Sequence, residues 1–236
     1  MLDTRKTAIL WSVIETYVVS AAPVSSQIVV ERGGVDASPA TIRNDMALLE
    51  EEGYLHQPHT SAGRVPTERA YREYVEYLLQ HHAQLVPRAM RIVLSVVEDI
   101  DDDVHVAGKL LARTLADVTA EAIVVGFPEG DAYATGLAHL VIQPEFHDPE
   151  VLQRFSVAVD RLEETLQVLG ERVGRAPTVI LGAENPFGPQ CGTIASCLEL
   201  PEGQQMTLGI VGPMRMAYDQ HLGLLRTIDG LIRQTI

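Results

Sequence analysis

The stretch from Ser38 to Thr67, SPATIRNDMALLEEEGYLHQPHTSAGRVPT, constrains the fold more than any other part of the chain. Ser38 offers a side-chain oxygen to the unpaired N–H groups of a helix start, and Pro39 suits the first helical position because it has no N–H to leave unpaired. Ile42, Met46 and Leu49 then recur at the spacing of one buried face, while Ala40, Arg43, Asn44 and Ala47 fall together on the opposite side. Gly53 fits the left-handed residue just past a helix end. Tyr54 to His56 predicts a strand, Pro58 to Gly63 a polar turn, and Arg64 and Val65 the return strand. Helix, strand, polar loop, strand is the layout of a winged helix.

The flanks supply the rest of such a module. Thr4 to Ser20 reads as a first helix, with Leu10, Val13, Ile14 and Tyr17 at helical spacing and Trp11 beside them. Ser25 caps a short second helix that runs through Gln27 to Arg32 and ends at Gly33 and Gly34. Thr67 caps a fourth helix carrying the stripe Tyr71, Tyr74, Val75, Leu78 and Leu79. Periodicity is lost in HHAQLVPR, so a domain boundary is expected there. In a module of this kind the third helix enters a major groove and the preceding helix crosses the phosphate backbone.

The exposed side of the third helix has chemistry that suits this task. Arg and Asn carry the paired donors and acceptors that match guanine and adenine edges, and alanines permit close approach. Ser25 and Ser26, at the start of the second helix, are placed to meet a phosphate. His59, Thr60, Ser61, Gly63 and Arg64 form a candidate phosphate-cradling wing tip. On the residues alone, an ordinary solvated helix face and a plain surface turn remain open.

The run ATIRNDMALLEEEGYLHQPHTSAGRVPTERAYREYV, Ala40 to Val75, resembles the DNA-binding segment of the heat-inducible transcription repressor family HrcA. QPEF (Gln143 to Phe146), GAENPF (Gly182 to Phe187) and LGIVGPMRMAY (Leu208 to Tyr218) resemble the same family in the same order, and separated blocks are more specific than one helix-turn-helix pattern. The resemblance implies a repressor of chaperone genes that binds double-stranded DNA at an inverted repeat as a homodimer, is released on heat stress and is modulated by the chaperonin. Ser38 and Thr41, at the start of the DNA-reading helix, are counted with Ala40, Arg43, Asn44 and Ala47 as candidate DNA-binding residues. It also implies a GAF-like regulatory domain. Family members carry an inserted dimerisation domain, expected here between the Ala122 strand and Gln143, where only Phe127 to Ile142 stands. A dimer of this chain would therefore use other surfaces.

The fold class expected is α+β: a winged helix-turn-helix domain over residues 1–80, helices over 81–121 that link or dimerise, and a small α/β GAF-like domain over 122–236. Within this, Met90 to Ile100 and Val104 to Val118 read as helices separated by the acidic run Glu98 to Asp103. Strands are expected at Ala122 to Gly126, Leu137 to Ile142, Thr178 to Leu181, Thr193 to Leu198 and Thr207 to Val211. Asp148 starts a helix through Phe155, continued by Ser156 to Glu171 with Leu162, Leu166 and Leu169 in register. Met214 to Ile232 makes the last helix.

Charge sets the main physical obstacle to the DNA reading. The chain carries a net charge of −14, and residues 1–80 hold seven basic against eleven acidic side chains, so binding depends on where a few arginines point. No run approaches the roughly 18 apolar residues of a membrane span, and MLDTRKTAILW is too short for a secretory signal, which predicts a cytoplasmic chain. Cys191 and Cys197 are read as reduced thiols, and His56 and His59 lack the companions a metal site needs. No catalytic motif, cofactor loop or metal-ligand set is present, so no catalytic residue and no cofactor are expected. Glu184 and Asn185, with Glu145, either line a pocket or shape a turn. Two other functions stay open: a chaperone- or ligand-binding interaction protein with a degenerate winged helix, and a small-molecule enzyme on a GAF-like fold.

Overall fold

The computed structural model describes residues 2–81, 103–200 and 203–235. The chain divides into two compact units, one containing the chain through His81 together with Arg215–Ala217, the other containing the remainder. The helix expected at Met90 to Ile100 lies outside the described residues, as does most of the acidic run that follows it.

In the first unit, α1 (Thr4–Ser20), α2 (Ser26–Arg32) and α3 (Pro39–Glu51) begin at the caps Asp3, Ser25 and Ser38. Their side-chain oxygens accept from the N–H groups of Lys6, Ile28 and Thr41, which satisfies amides that a helix start otherwise leaves unpaired. Ile9, Leu10, Val13 and Ile14 of α1 are buried with Ile42, Met46 and Leu49 of α3. Gly53, at φ 78°, turns the chain out of α3 into β1 (Leu55–His56), which pairs antiparallel with β2 (Val65–Pro66). α4 (Glu68–Gln80) starts at the Thr67 cap and buries Tyr71, Tyr74, Val75 and Leu78, with the Trp11 ring 5.0 Å from that of Tyr74. Leu79 departs from the expected stripe and is 42% exposed, because eight residues on from Tyr71 the helix has turned about 80° away from it.

The second unit is an antiparallel sheet with helices on both faces. β3 (Ala122–Gly126), β4 (Ala132–Thr135), β5 (Thr178–Leu181), β6 (Cys191–Glu199) and β7 (Gln205–Pro213) lie in the order β4-β3-β7-β6-β5. One face, carrying Ala122, Val124, Ala195 and Val211, packs against Leu140, Phe146, Phe155, Leu166 and Leu169. These come from α6 (Leu137–Val141), the turn at Pro144–His147, α7 (Pro149–Asp160) and α8 (Leu162–Gly170). On the opposite face α5 (Val104–Thr119) approaches so closely that a Cβ on Gly108 would lie 2.7 Å from the Phe127 ring and 3.0 Å from the Met206 sulfur. From Asp103 onward the 81–121 segment therefore packs within this unit. α9 (Tyr218–Thr235) packs along β6 with Tyr218, Leu222 and Leu225 buried.

Leu137 to Ile142 is a correction, being helical where a strand was expected. The strand comes earlier, at Ala132–Thr135, because Gly130 at φ 92° reverses the chain straight after Phe127 and lets β4 pair back on β3. Gly136, at φ 74°, ends it, and a Cβ there would meet the Glu121 carbonyl oxygen at 2.4 Å. Leu137, Leu140 and Val141 are spaced by three and four, which suits a helix face as well as a strand. The last helix also begins later than expected, at Tyr218, and the Ser156 to Glu171 segment is divided at Arg161.

Candidate nucleic-acid interface

In the first unit a groove of about 470 Å³ runs between α3, the start of α2 and the wing. Its lining includes Ser25, Ser26, Arg43, Thr60, Ser61, Gly63 and Arg64. These residues are drawn together by one backbone contact. Val24 N–H donates to the Arg64 carbonyl at 2.9 Å and Arg64 N–H donates to the Val24 carbonyl at 2.8 Å, so the wing is stitched to the entry of α2. Gly63 makes the approach possible, since a Cβ there would stand 2.3 Å from the Val24 carbonyl oxygen.

Three of the four acidic side chains of α3 and the turn after it, Asp45, Glu50 and Glu52, meet nearby cations, while Glu51 is exposed. Arg5 of α1 holds Asp45 through Nε at 2.8 Å and Nη2 at 3.2 Å, with the Asp45 side chain buried. Lys6 reaches Glu52 at 2.7 Å; that contact raises the Lys6 amine above its ordinary value. Arg64 Nε lies 2.9 Å from Glu50 Oε2, an ion-pair distance whose angle does not make a hydrogen bond. Arg69 donates to the Glu52 carbonyl at 2.7 Å and lies over the Tyr54 ring, while Arg72 pairs with Glu68. Arg43 has no ion-pair partner among the described residues and is exposed. Pairing of this kind limits the repulsion that an acidic chain would otherwise present to a polyanion.

Ala40, Arg43 and Asn44 are exposed and Ala47 is half-buried, so this side of α3 is not covered within the unit. Ser38 and Thr41 are tied into the cap, with 2.9 Å between their hydroxyl oxygens. Ala40, Asn44, Ala47, Ser38, Thr41 and His59 do not line the groove, whereas Val24, Met46, Gln57 and Ala62 do. Gln57 is the residue that sequence reasoning missed. Its N–H donates to Glu50 Oε1 at 2.9 Å, and its amide donates to the carbonyls of Thr60 at 3.1 Å and Ala62 at 2.7 Å, closing the wing loop. A polar side chain between the strand and Pro58 was the available signal.

In the second unit Asn185 shapes a turn. Its amide donates to the carbonyls of Ile180 and Cys191, both at 3.0 Å, and its oxygen accepts from Phe187 N–H and the Thr193 hydroxyl. All four hydrogen-bonding positions of the carboxamide are used.

Residues 59–222 match the family model described as the HrcA protein C terminal domain. Over 130 residues the chain is 46% identical to the heat-inducible transcription repressor HrcA of Kineococcus radiotolerans, an alignment covering 54% of this chain and 36% of that protein. The alignment with the HrcA of Streptomyces avermitilis is 31% identical and covers all of this chain and 77% of that protein. The chain thus spans little more than a third of the first relative's length and most of the second's. A crystal structure of a hypothetical protein superposes with a TM-score of 0.77 at 18% identity, covering 100% of both chains. That likeness concerns the fold.

Proposed function

The chain belongs to the HrcA family, and from that membership we propose that it is a heat-inducible transcription repressor that binds an inverted-repeat operator as a homodimer. The observation that carries this reading is the bare side of α3, where Arg43 and Asn44 stand exposed beside a groove floored by the wing. Arg43 and Asn44 read base edges, and Ala40 and Ala47 let the helix approach them. Ser25, Ser26, Thr60, Ser61, Gly63 and Arg64 border the groove where the phosphate backbone passes, with Ser38, Thr41 and His59 at its margins. The ion pairs at Asp45, Glu50 and Glu52 reduce the negative field near that surface.

Two-fold symmetry of a dimer matches the symmetry of an inverted repeat, with half-sites separated by whole helical turns. Target genes encoding chaperones, release on heat stress and modulation by the chaperonin complete the proposal, in a cytoplasmic protein. Among the described residues no helix is long and apolar enough to cross a membrane.

Selection from a randomised duplex library tests the reading. Enrichment of two half-sites in inverted orientation supports it, with affinity that falls as salt rises. Recovery of no common sequence contradicts it.

A further inference from the structure

Glu50 is the last-turn residue of α3 that touches both arms of the wing. Its Oε1 accepts the Gln57 N–H at 2.9 Å, on the arm that leaves β1, and its Oε2 lies 2.9 Å from Arg64 Nε, on the arm that enters β2. Gln57 in turn holds the loop through the Thr60 and Ala62 carbonyls, and Arg64 is bonded through its backbone to Val24. A backbone bridge to the entry of α2 and one carboxylate from α3 thus tie the wing loop to the helices. The Arg64 side chain is only 15% exposed, its Nε is buried, and it still lines the groove. The carboxylate holds the guanidinium by charge at ion-pair distance in a poorly hydrated place, where such attraction is stronger than in open water.

We propose that Glu50 is a positioning residue of the DNA-reading surface, fixing the wing and the Arg64 guanidinium against the recognition helix. This rests on the repressor reading and adds to it a residue of the wrong charge for phosphate contact, which acts through Arg64 and Gln57. Removing Glu50 takes away a negative charge near the groove, and a purely Coulombic role would make DNA binding tighter. The positioning role makes it weaker.

The test uses the full chain with Glu50→Ala, Glu50→Gln, Arg64→Gln and the double variant Glu50→Ala/Arg64→Gln. In the free protein, amide exchange at Gln57 is expected to rise about tenfold in Glu50→Ala, the scale of one hydrogen bond to a charged group, and to stay near the wild-type rate in Glu50→Gln, which keeps the acceptor oxygen. On duplex DNA, Glu50→Ala is expected to bind about tenfold more weakly, with no further loss when it is added to Arg64→Gln, because the two side chains act as one unit. Unchanged exchange at Gln57, tighter binding by Glu50→Ala, or an equal loss with and without Arg64 each overturns the proposal. A wild-type chain that fails to prefer an inverted repeat over a scrambled duplex sinks the repressor reading instead, and the exchange measurement still judges Glu50.

Discussion

Gly63 passes so close to Val24 that a Cβ on Gly63 would lie 2.3 Å from the Val24 carbonyl oxygen and 2.7 Å from its nitrogen. Both atoms belong to backbone that is bonded to Arg64, so neither can move aside without breaking the bridge. Gly63→Ala is expected to destabilise the first unit by about 1–3 kcal/mol, as inserted carbon in a packed place does. Denaturant titration followed by Trp11 fluorescence measures it. An unchanged midpoint would mean that the wing tolerates separation from α2.

Arg5 and Asp45 are unequal partners, with side-chain exposures of 53% and 6%. Arg5→Ala leaves a buried carboxylate without its cation, whereas Asp45→Ala leaves an arginine that turns into water. Arg5→Ala should therefore lower the unfolding temperature more than Asp45→Ala does, which a pair of thermal melts will decide. The reverse order would show that Asp45 is stabilised by something other than Arg5.

The limits of reading this fold from sequence lie in the same contrast between local and distant interactions. Ser25, Ser38 and Thr67 each announce a helix within three residues of themselves, and each caps the helix expected of it. The bare face of α3 follows from periodicity alone. The partner of Asp45 lies 40 residues away, and the contacts of Glu50 with Gln57 and Arg64 cross the wing rather than a helical turn, so no local pattern announces them. Leu137 to Ile142 failed for a different reason: six apolar-rich residues fit either period, and the turn at Gly130 that decides between them acts through the pairing of β4 with β3.

His221 on α9 is buried, and its Nδ1 has no hydrogen-bond partner among the described residues. Burial pulls the imidazole down from 6.5 to about 4. Between those values the unfolded chain binds a proton that the folded chain does not, so stability falls as pH drops through the window and levels off below it. The loss approaches about 3 kcal/mol. Comparison of the wild type with His221→Leu from pH 7 to 4 isolates it, since the variant should lack this share of the acid sensitivity. Parallel curves for the two proteins would refute the assignment.

The two free thiols should differ in reactivity. Burial pushes the Cys191 thiol up to about 12, while Cys197 is raised less and is partly exposed. Since the thiolate is the nucleophile, alkylation of the native protein near pH 8 should modify Cys197 first and leave Cys191 until unfolding. Mass mapping after brief labelling reads the order directly, and early modification of Cys191 would place it outside the core.

The uncovered side of α3 is the surface proposed to read base edges. The most direct measurement of this is the ratio of Kd values for a scrambled duplex and a selected inverted repeat, taken at one salt concentration for the wild type and for Arg43→Ala. Arg43→Ala is expected to lower this preference by about 1–3 kcal/mol and to leave binding to the scrambled duplex nearly unchanged. A preference that survives the substitution, or a wild-type chain with none to lose, would contradict it.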